Sequence, residues 1–190
     1  MDSEHRIVSS ETEELILVDA DDEETGFLSK AECHDGGGVL HRAFSLFLFN
    51  ADGELLLQRR SASKRLWPGF WSNSCCSHPR RGESMAVATR RRLRDELNIE
   101  TSLQFVYKFA YAAEFGDAGS ENELCHVYLG RVGDAFRPNE HEIEAVRFVR
   151  PGDLVKEFAA SPATFTPWLK MEWQALSGEY RQQLGSYCRL

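Results

Sequence analysis

The sequence predicts one α/β domain of the α+β kind, a mixed β-sheet with a central helix and more helices toward the C-terminus. Three observations point there. The chain has 190 residues, 42% of them hydrophobic and 27% charged, which suits one domain able to bury its own core. The patterning is mostly strand-like, with one uninterrupted helical stretch in the middle. Neither an internal repeat nor a linker divides the chain, so residues 1–190 read as a single unit. The same composition excludes long disorder, collagen and coiled coil.

Residues 15–18, Leu-Ile-Leu-Val, are a short apolar run and predict a strand, followed by an acidic loop over 19–26. Gly36-Gly37-Gly38 predicts a flexible connection between His34 and the next strand. Residues 39–49 alternate loosely and are rich in aliphatic and aromatic side chains. Asn50-Ala51-Asp52-Gly53 then turns the chain into 54–60, so the two segments predict a β-hairpin. Trp67-Pro68-Gly69-Phe70-Trp71 reads as a loop. Residues 83–97 contain neither Gly nor Pro. Met85, Ala88, Arg92 and Glu96 fall on one helical face, and Ala86, Leu93 and Leu97 on another, which predicts an amphipathic helix. Residues 103–115 and 121–132 predict paired strands around a turn with Gly116, Asp117 and Gly119, and 142–149 another strand. A short helix starts at Pro151-Gly152-Asp153 and a longer one spans 167–184, within a helical region over 151–188.

The longest apolar stretch, around 43–49, is far short of the roughly 20 residues that a membrane-spanning helix needs. Residues 1–5 have neither the basic start nor the apolar run of a signal peptide. Five cysteines, Cys33, Cys75, Cys76, Cys125 and Cys188, are an odd number with no paired spacing. Together these predict a reduced, cytoplasmic protein with no membrane partner.

Charge is distributed unevenly. The whole chain is −8, which argues against nucleic acid as a partner. Residues 59–94, however, hold ten basic residues and one acid, Glu83, for a net charge of +9. A cationic island in an anionic chain suits a small, highly charged anion. A solvated helix face is the bland alternative for any single Arg there.

The stretch from Ser77 to Ile99 carries a spaced pattern. Ser77 is followed six residues later by Glu83, then by Arg91-Arg92-Leu93, by Asp95-Glu96, and by Asn98-Ile99. This resembles the Nudix box, G-x5-E-x7-R-E-U-x-E-E-x-G-U, with spacing kept and Ser77, Arg92 and Asn98 standing at altered positions. The box is a loop–helix–loop over 77–99 that sets carboxylates beside a diphosphate with Mg²⁺ between them. Arg92 in place of a carboxylate removes a metal ligand and puts a cation on the same helical face as Glu96. That weakens a hydrolytic reading.

Further motifs follow the same order along the chain. They are Lys30, His34 and His41; Arg59-Arg60 with Ser63-Lys64; Trp67-Pro68-Gly69; Cys75-Cys76-Ser77-His78-Pro79; Glu121-Asn122-Glu123; and Thr166-Pro167-Trp168. With the altered box they resemble the type 1 isopentenyl-diphosphate Δ-isomerases over roughly residues 5–173. The resemblance implies a Nudix-like mixed sheet sandwiched between helices, and an isomerase that moves the double bond of isopentenyl diphosphate to give dimethylallyl diphosphate for isoprenoid biosynthesis. Cys76 and Glu123 match the family's acid–base pair, Tyr111 an assisting tyrosine beside Glu123, and Trp168 an indole over the hydrocarbon.

By the same resemblance Lys30, Arg60, Lys64 and Arg92 contact the diphosphate, and Glu96 holds Mg²⁺ against it. His34, His41, His78, Glu121 and Glu123 form a second metal site, for one Mn²⁺ or Zn²⁺, with no flavin. Glu121 and Glu123 are two apart on a predicted strand, so their side chains share a face; the donor set alone does not choose among Mn²⁺, Zn²⁺ and Fe²⁺. The family's bacterial members imply a monomer. On residue type alone Cys76 beside Cys75 also reads as a small buried hydrophobe, and Trp168 as core. A Nudix hydrolase of a nucleoside diphosphate derivative and a non-catalytic diphosphate-binding module are the alternatives.

Overall fold

In a computed structural model, which describes residues 8–133 and 135–190, the sheet is organised around one central strand. Residues 1–5, and with them the start of the span that carries the resemblance, lie outside the described residues. The chain begins with β1 (Glu14–Val18) and β2 (Glu24–Ser29), a short helix α1 (Lys30–His34), and β3 (His41–Phe49). It continues through β4 (Leu55–Arg60), the brief strands β5 (Trp71–Ser72) and β6 (Cys75–Ser77), and helix α2 (Met85–Leu97). Next come β7 (Leu103–Glu114), β8 (Ser120–Arg131) and β9 (Ile143–Val149), then helices α3 (Pro151–Ala160), α4 (Pro167–Ser177) and α5 (Arg181–Leu184).

β3 pairs in parallel with β8 along its whole length, from His41↔Glu123 to Phe49↔Arg131, while β8 runs antiparallel to β7. β3 is also antiparallel to β1 and, over Phe44–Leu46, to β6. The sheet is therefore mixed, as predicted. Its core lies on both faces. Phe47, Phe49, Val127 and Leu129 pack against Leu169, Trp173 and Leu176 of α4. Phe44, Leu46 and Leu48 face the opposite way, toward Ala88, Leu93 and Leu97 of α2. A strand covered on both sides needs apolar residues at successive positions, which is why 39–49 alternates so weakly. Each such Leu or Phe stabilises the fold by about 1.5–3 kcal/mol through burial.

Several expectations need correction. The predicted hairpin between 39–49 and 54–60 is joined at Phe49↔Leu55 alone, because β4 turns away to pair with β9 and β5. The acidic loop gives way at Glu24 to β2, whose partly buried residues leave too weak a pattern to read. The long C-terminal helix over 167–184 is two helices, broken at Gly178, and the 151–188 region holds three α-helices and a single 3₁₀ turn at Pro162–Thr164. Ala86 is exposed; α2 buries Ala88, Thr89, Arg92, Leu93, Glu96 and Leu97 instead.

The altered box is structurally sound. Ser84 caps α2 by accepting from the Val87 amide, and Asn98 closes it in the left-handed conformation at φ 54°, which Asn tolerates in place of Gly. Among the described residues no helix is long and apolar enough to cross a membrane.

Candidate active site

Three histidines and two carboxylates converge at one end of the sheet. His34 ends α1, which a reciprocal Ser29–Glu32 capping box holds in place. His41 opens β3, and His78 follows β6. Parallel pairing sets His41 opposite Glu123 on β8, and Glu121 projects from the same side of that strand. The turn before β8 makes this approach possible. A Cβ on Gly119 (φ 131°) would lie 2.2 Å from the His34 carbonyl oxygen, so only glycine lets that turn reach α1. The Gly36–Gly38 segment is likewise a pinned turn and not a loose connection. Ser120 Oγ donates to the Gly36 carbonyl, Asn122 Nδ2 to the Gly38 carbonyl, and Gly38 has a φ of 73° with Asn122 packed beside it.

The five side chains offer ligand atoms that all lie within 4.8 Å of one another. His34 Nδ1 and His41 Nδ1 face the carbonyls of Lys30 and Val39 at 2.6 and 2.7 Å, which turns each Nε2 inward. His41 Nε2 is buried with no hydrogen-bond partner among the described residues. Burial lowers His41 to about 4 and His78 well below the usual range, aided in each case by neighbouring imidazoles. Both shifts favour the neutral imidazole, and in His41 the Nδ1 contact with the Val39 carbonyl leaves the lone pair on the orphaned Nε2. An orphaned imidazole nitrogen in a set of three nitrogens and two carboxylates fits a divalent transition ion. Burial works against charge on Glu121, but His34 at 2.8 Å outweighs it and holds that carboxyl low. Burial and the adjacent Glu121 charge push Glu123 the other way.

Beside this cluster lies a cavity of about 350 Å³. Cys76 and Glu123 line it together with Tyr111 and Trp168. Cys76 sits on β6, registered opposite Ser45, and its segment is pinned by Ser74, whose hydroxyl donates to the Leu56 carbonyl at 2.6 Å. Burial pushes the Cys76 thiol up to about 12, opposed by the Arg60 guanidinium 3.8 Å away. Tyr111 donates to Glu123 Oε2 at 2.6 Å, while Glu123 Oε1 lies 2.8 Å from His78 Nε2. The Trp168 indole N–H reaches Ser72 Oγ at 3.0 Å and Asn73 Oδ1 at 3.2 Å, and its ring has the Arg60 guanidinium 5.3 Å from its centroid. Cys76 and Trp168 both line the cavity, and Trp168 is at the same time buried in the core beside Trp67 and Tyr111.

The other end of the cavity is cationic. Lys30, Arg60, Lys64 and Arg92 all line it. Each already has partners. Lys30 bonds Ser9 and lies 3.7 Å from Glu11; Lys64 pairs with Glu142; and Arg92 donates to Glu96 Oε1 at 2.7 Å and to Glu142 Oε2 at 3.3 Å. Arg60 binds the carbonyls of Leu66 and Trp67, the latter held at φ 47°, a conformation costly for so large a side chain. Glu96 is buried behind Arg92 and does not line the cavity.

The cationic island seen in the sequence is largely dispersed. Of its ten basic residues, only Arg60, Lys64, Arg65 and Arg92 reach the cavity. Arg59, Arg80, Arg81 and Arg94 pair with Glu144, Glu13, Glu14 and Glu100 elsewhere. Arg91 clamps Glu83 through two bonds of 2.8 Å and donates to the His78 carbonyl, so the box arginine steadies the loop that carries His78. Glu142 is the site residue that sequence reasoning missed. Burial disfavours its charge, but Lys64 and Arg92 hold its carboxyl low. Fifty residues separate it from Arg92 with no signature spacing.

Residues 39–169 match the NUDIX domain family. Over 163 residues the chain is 42% identical to a protein of Photorhabdus laumondii named isopentenyl-diphosphate Delta-isomerase 1, covering 85% of this chain and 93% of that one. It is 40% identical over 182 residues to the isopentenyl-diphosphate Delta-isomerase of Escherichia coli O6:H1, covering 95% and 99%. Among solved structures, a protein of Deinococcus radiodurans superposes with a TM-score of 0.69 at 27% identity, covering 84% of this chain and 96% of that one. A MutT protein of Methanosarcina mazei superposes with a TM-score of 0.63 at 17% identity, covering 75% and 96%, and speaks for the fold alone.

Proposed function

The chain belongs to the NUDIX family and, within it, to the type 1 isopentenyl-diphosphate Δ-isomerases, and from that premise we propose that its cavity isomerises isopentenyl diphosphate between Cys76 and Glu123. The enzyme converts isopentenyl diphosphate to dimethylallyl diphosphate. The single observation that carries the residue assignment is that the Cys76 thiol and the Glu123 carboxyl border one cavity whose remaining walls include an indole and a phenol.

The chemistry moves two protons. One is added to the terminal alkene carbon and another leaves the carbon two atoms away, so a positive tertiary centre exists between the transfers and no net proton is consumed. Cys76 and Glu123 are the pair that exchanges these protons, and each positioned group of this kind contributes about 10²–10⁴ in rate. Tyr111, bonded to Glu123, orients that carboxyl and offers it a relay. Trp168 presents its π-face to the developing cation, an attraction of about 2 kcal/mol or more when water is excluded. That charge is absent from the bound substrate, so the interaction favours the transition state selectively.

His34, His41, His78, Glu121 and Glu123 would hold one divalent transition ion, read as Mn²⁺ or Zn²⁺. It would supply Lewis acidity that fixes the orientation and basicity of the Glu123 carboxyl. Lys30, Arg60, Lys64 and Arg92 bind the diphosphate, and Glu96, now bonded to Arg92, would be the carboxylate that holds Mg²⁺ against it. Arg92 at a box position that would otherwise bring a carboxylate argues against hydrolysis. Five unpaired cysteines support the reducing cytoplasm.

Incubation with isopentenyl diphosphate in deuterated water tests the reading. Dimethylallyl diphosphate carrying deuterium is the expected product. Released phosphate would indicate the hydrolase alternative, and unaltered substrate a binding module.

A further inference from the structure

One buried acid has no part in the chemistry above. Glu172 on α4 is fully buried, and no salt bridge reaches it among the described residues. Cys125 Sγ lies 3.4 Å from Glu172 Oε1 and 3.5 Å from Ser45 Oγ, within S–H bonding reach of either. Among the described residues Glu172 Oε2 has no hydrogen-bond partner. A carboxylate enclosed this way, with a thiol and a hydroxyl for company and no cation, is strongly disfavoured against its protonated form. Burial accordingly pushes it up to about 8, with Ser45 and Cys125 drawing it partly back.

Its place in the fold gives that acid a use. Each member of the small cluster is the immediate neighbour of one proposed reacting group, across a strand pair, along a strand or along a helix. Ser45 is the registered partner of Cys76 across β3 and β6. Cys125 follows Glu123 by two residues on the same face of β8. Glu172 itself lies one helical turn after Trp168, on the same side of α4. The Tyr107 hydroxyl from β7 bonds the Glu172 carbonyl at 3.4 Å and closes the back of the cluster.

We propose that Glu172 is a positioning residue for the isomerisation. As an uncharged carboxylic acid it ties α4, β3 and β8 together behind Trp168, Cys76 and Glu123, and it keeps a negative charge from beneath the reaction chamber. This role rests on the assignment of those three residues to the chemistry. The titratable groups that face Glu172 are Cys125 and Glu123 from β8 and Tyr107 from β7, all acids; Ser45 from β3 is polar without charge. Losing the proton therefore adds an anion to a set that already contains one ionisable carboxyl, with no cation to offset it.

The test uses the full-length metal-loaded enzyme with Glu172→Gln and Glu172→Ala. Glutamine keeps the shape and the neutral charge, so its kcat at neutral pH stays within about threefold of the parent. Alanine leaves a gap and unties the elements, so kcat drops by roughly tenfold or more while KM moves little. The alkaline decline of kcat in the parent weakens in Glu172→Gln. A second readout needs no turnover. A carboxyl raised from 4.5 unfolded to about 8 folded makes the parent lose stability as pH rises across that window. The melting temperature of Glu172→Gln minus that of the parent must then climb from about pH 4.5 to 8 and level off above it.

A flat difference would overturn the protonated state, and this holds even if Glu172→Ala does not fold. Glutamine as damaging as alanine, or alanine with parental kcat, would overturn the positioning role. Failure of the parent to make deuterated product would instead sink the functional assignment and leave the melting result standing.

Discussion

The two ends of the cavity are built on different principles. At the end proposed for the reaction, His41, Glu121, Glu123, Tyr111 and Cys76 project from β-strands, and hydrogen-bond register places them to within a side chain's reach of one another. At the cationic end, proposed for the diphosphate, Lys30, Lys64 and Arg92 come from a short helix, a loop and α2, and they are gathered by the carboxylates Glu11, Glu142 and Glu96. One end is held by backbone geometry, with the Arg60 guanidinium as the cation beside Cys76 and Trp168. The other is held by compensated charge that a phosphate must displace. Precision of the first kind serves proton transfer, where a misplacement of about 1 Å can cost a hundredfold. Adjustability of the second kind serves an anion that must enter and leave.

The contrast is most easily broken at the thiol. Cys76→Ala should lower kcat by at least about 10²–10⁴ while substrate affinity stays within about tenfold. Steady-state turnover together with equilibrium binding of isopentenyl diphosphate reads both, and near-parental turnover would remove Cys76 from the chemistry. Gly119→Ala probes backbone geometry without touching a ligand. The added methyl must push α1 from the β8 turn, so metal affinity should fall by about 10–100-fold, as it does when ligand-supporting contacts are lost. Metal content after dialysis measures this, and full retention would show that His34 does not depend on that close approach. Lys64→Ala should have the smallest effect. A lost charge-assisted hydrogen bond costs about 1.5–3 kcal/mol, and the low end applies because Lys64 gives up Glu142 when it binds phosphate. Calorimetric binding of inorganic diphosphate checks it; unchanged affinity would make Lys64 and Glu142 a structural pair.

The same contrast separates what the chain's letters reveal from what they conceal. The helix over 83–97 was legible because a Gly- and Pro-free amphipathic stretch states its own period, and the 103–115 and 121–132 strands because a Gly-containing turn separates them. β6 was not. Three residues carrying Cys76 form a strand only because β3 offers its edge, and no local propensity announces that. The ordered motifs brought Lys30, His34, His41, Cys76, His78, Glu121 and Glu123 forward correctly as neighbours. Glu142 and Glu172 stayed hidden, since an acid's significance there lies in a distant cation or in the lack of one.

By itself the sequence determined the family, the set of side chains proposed to react and the helix that the altered box forms, because these depend on residue type, order and local periodicity. Tertiary structure alone decided that the basic segment is mostly spent on ion pairs across the surface, that Glu96 stands behind Arg92, and that Glu172 is sealed with no counter-charge among the described residues. Charge compensation and desolvation depend on distances between elements far apart in the chain, and those distances exist only once the sheet has closed around β3.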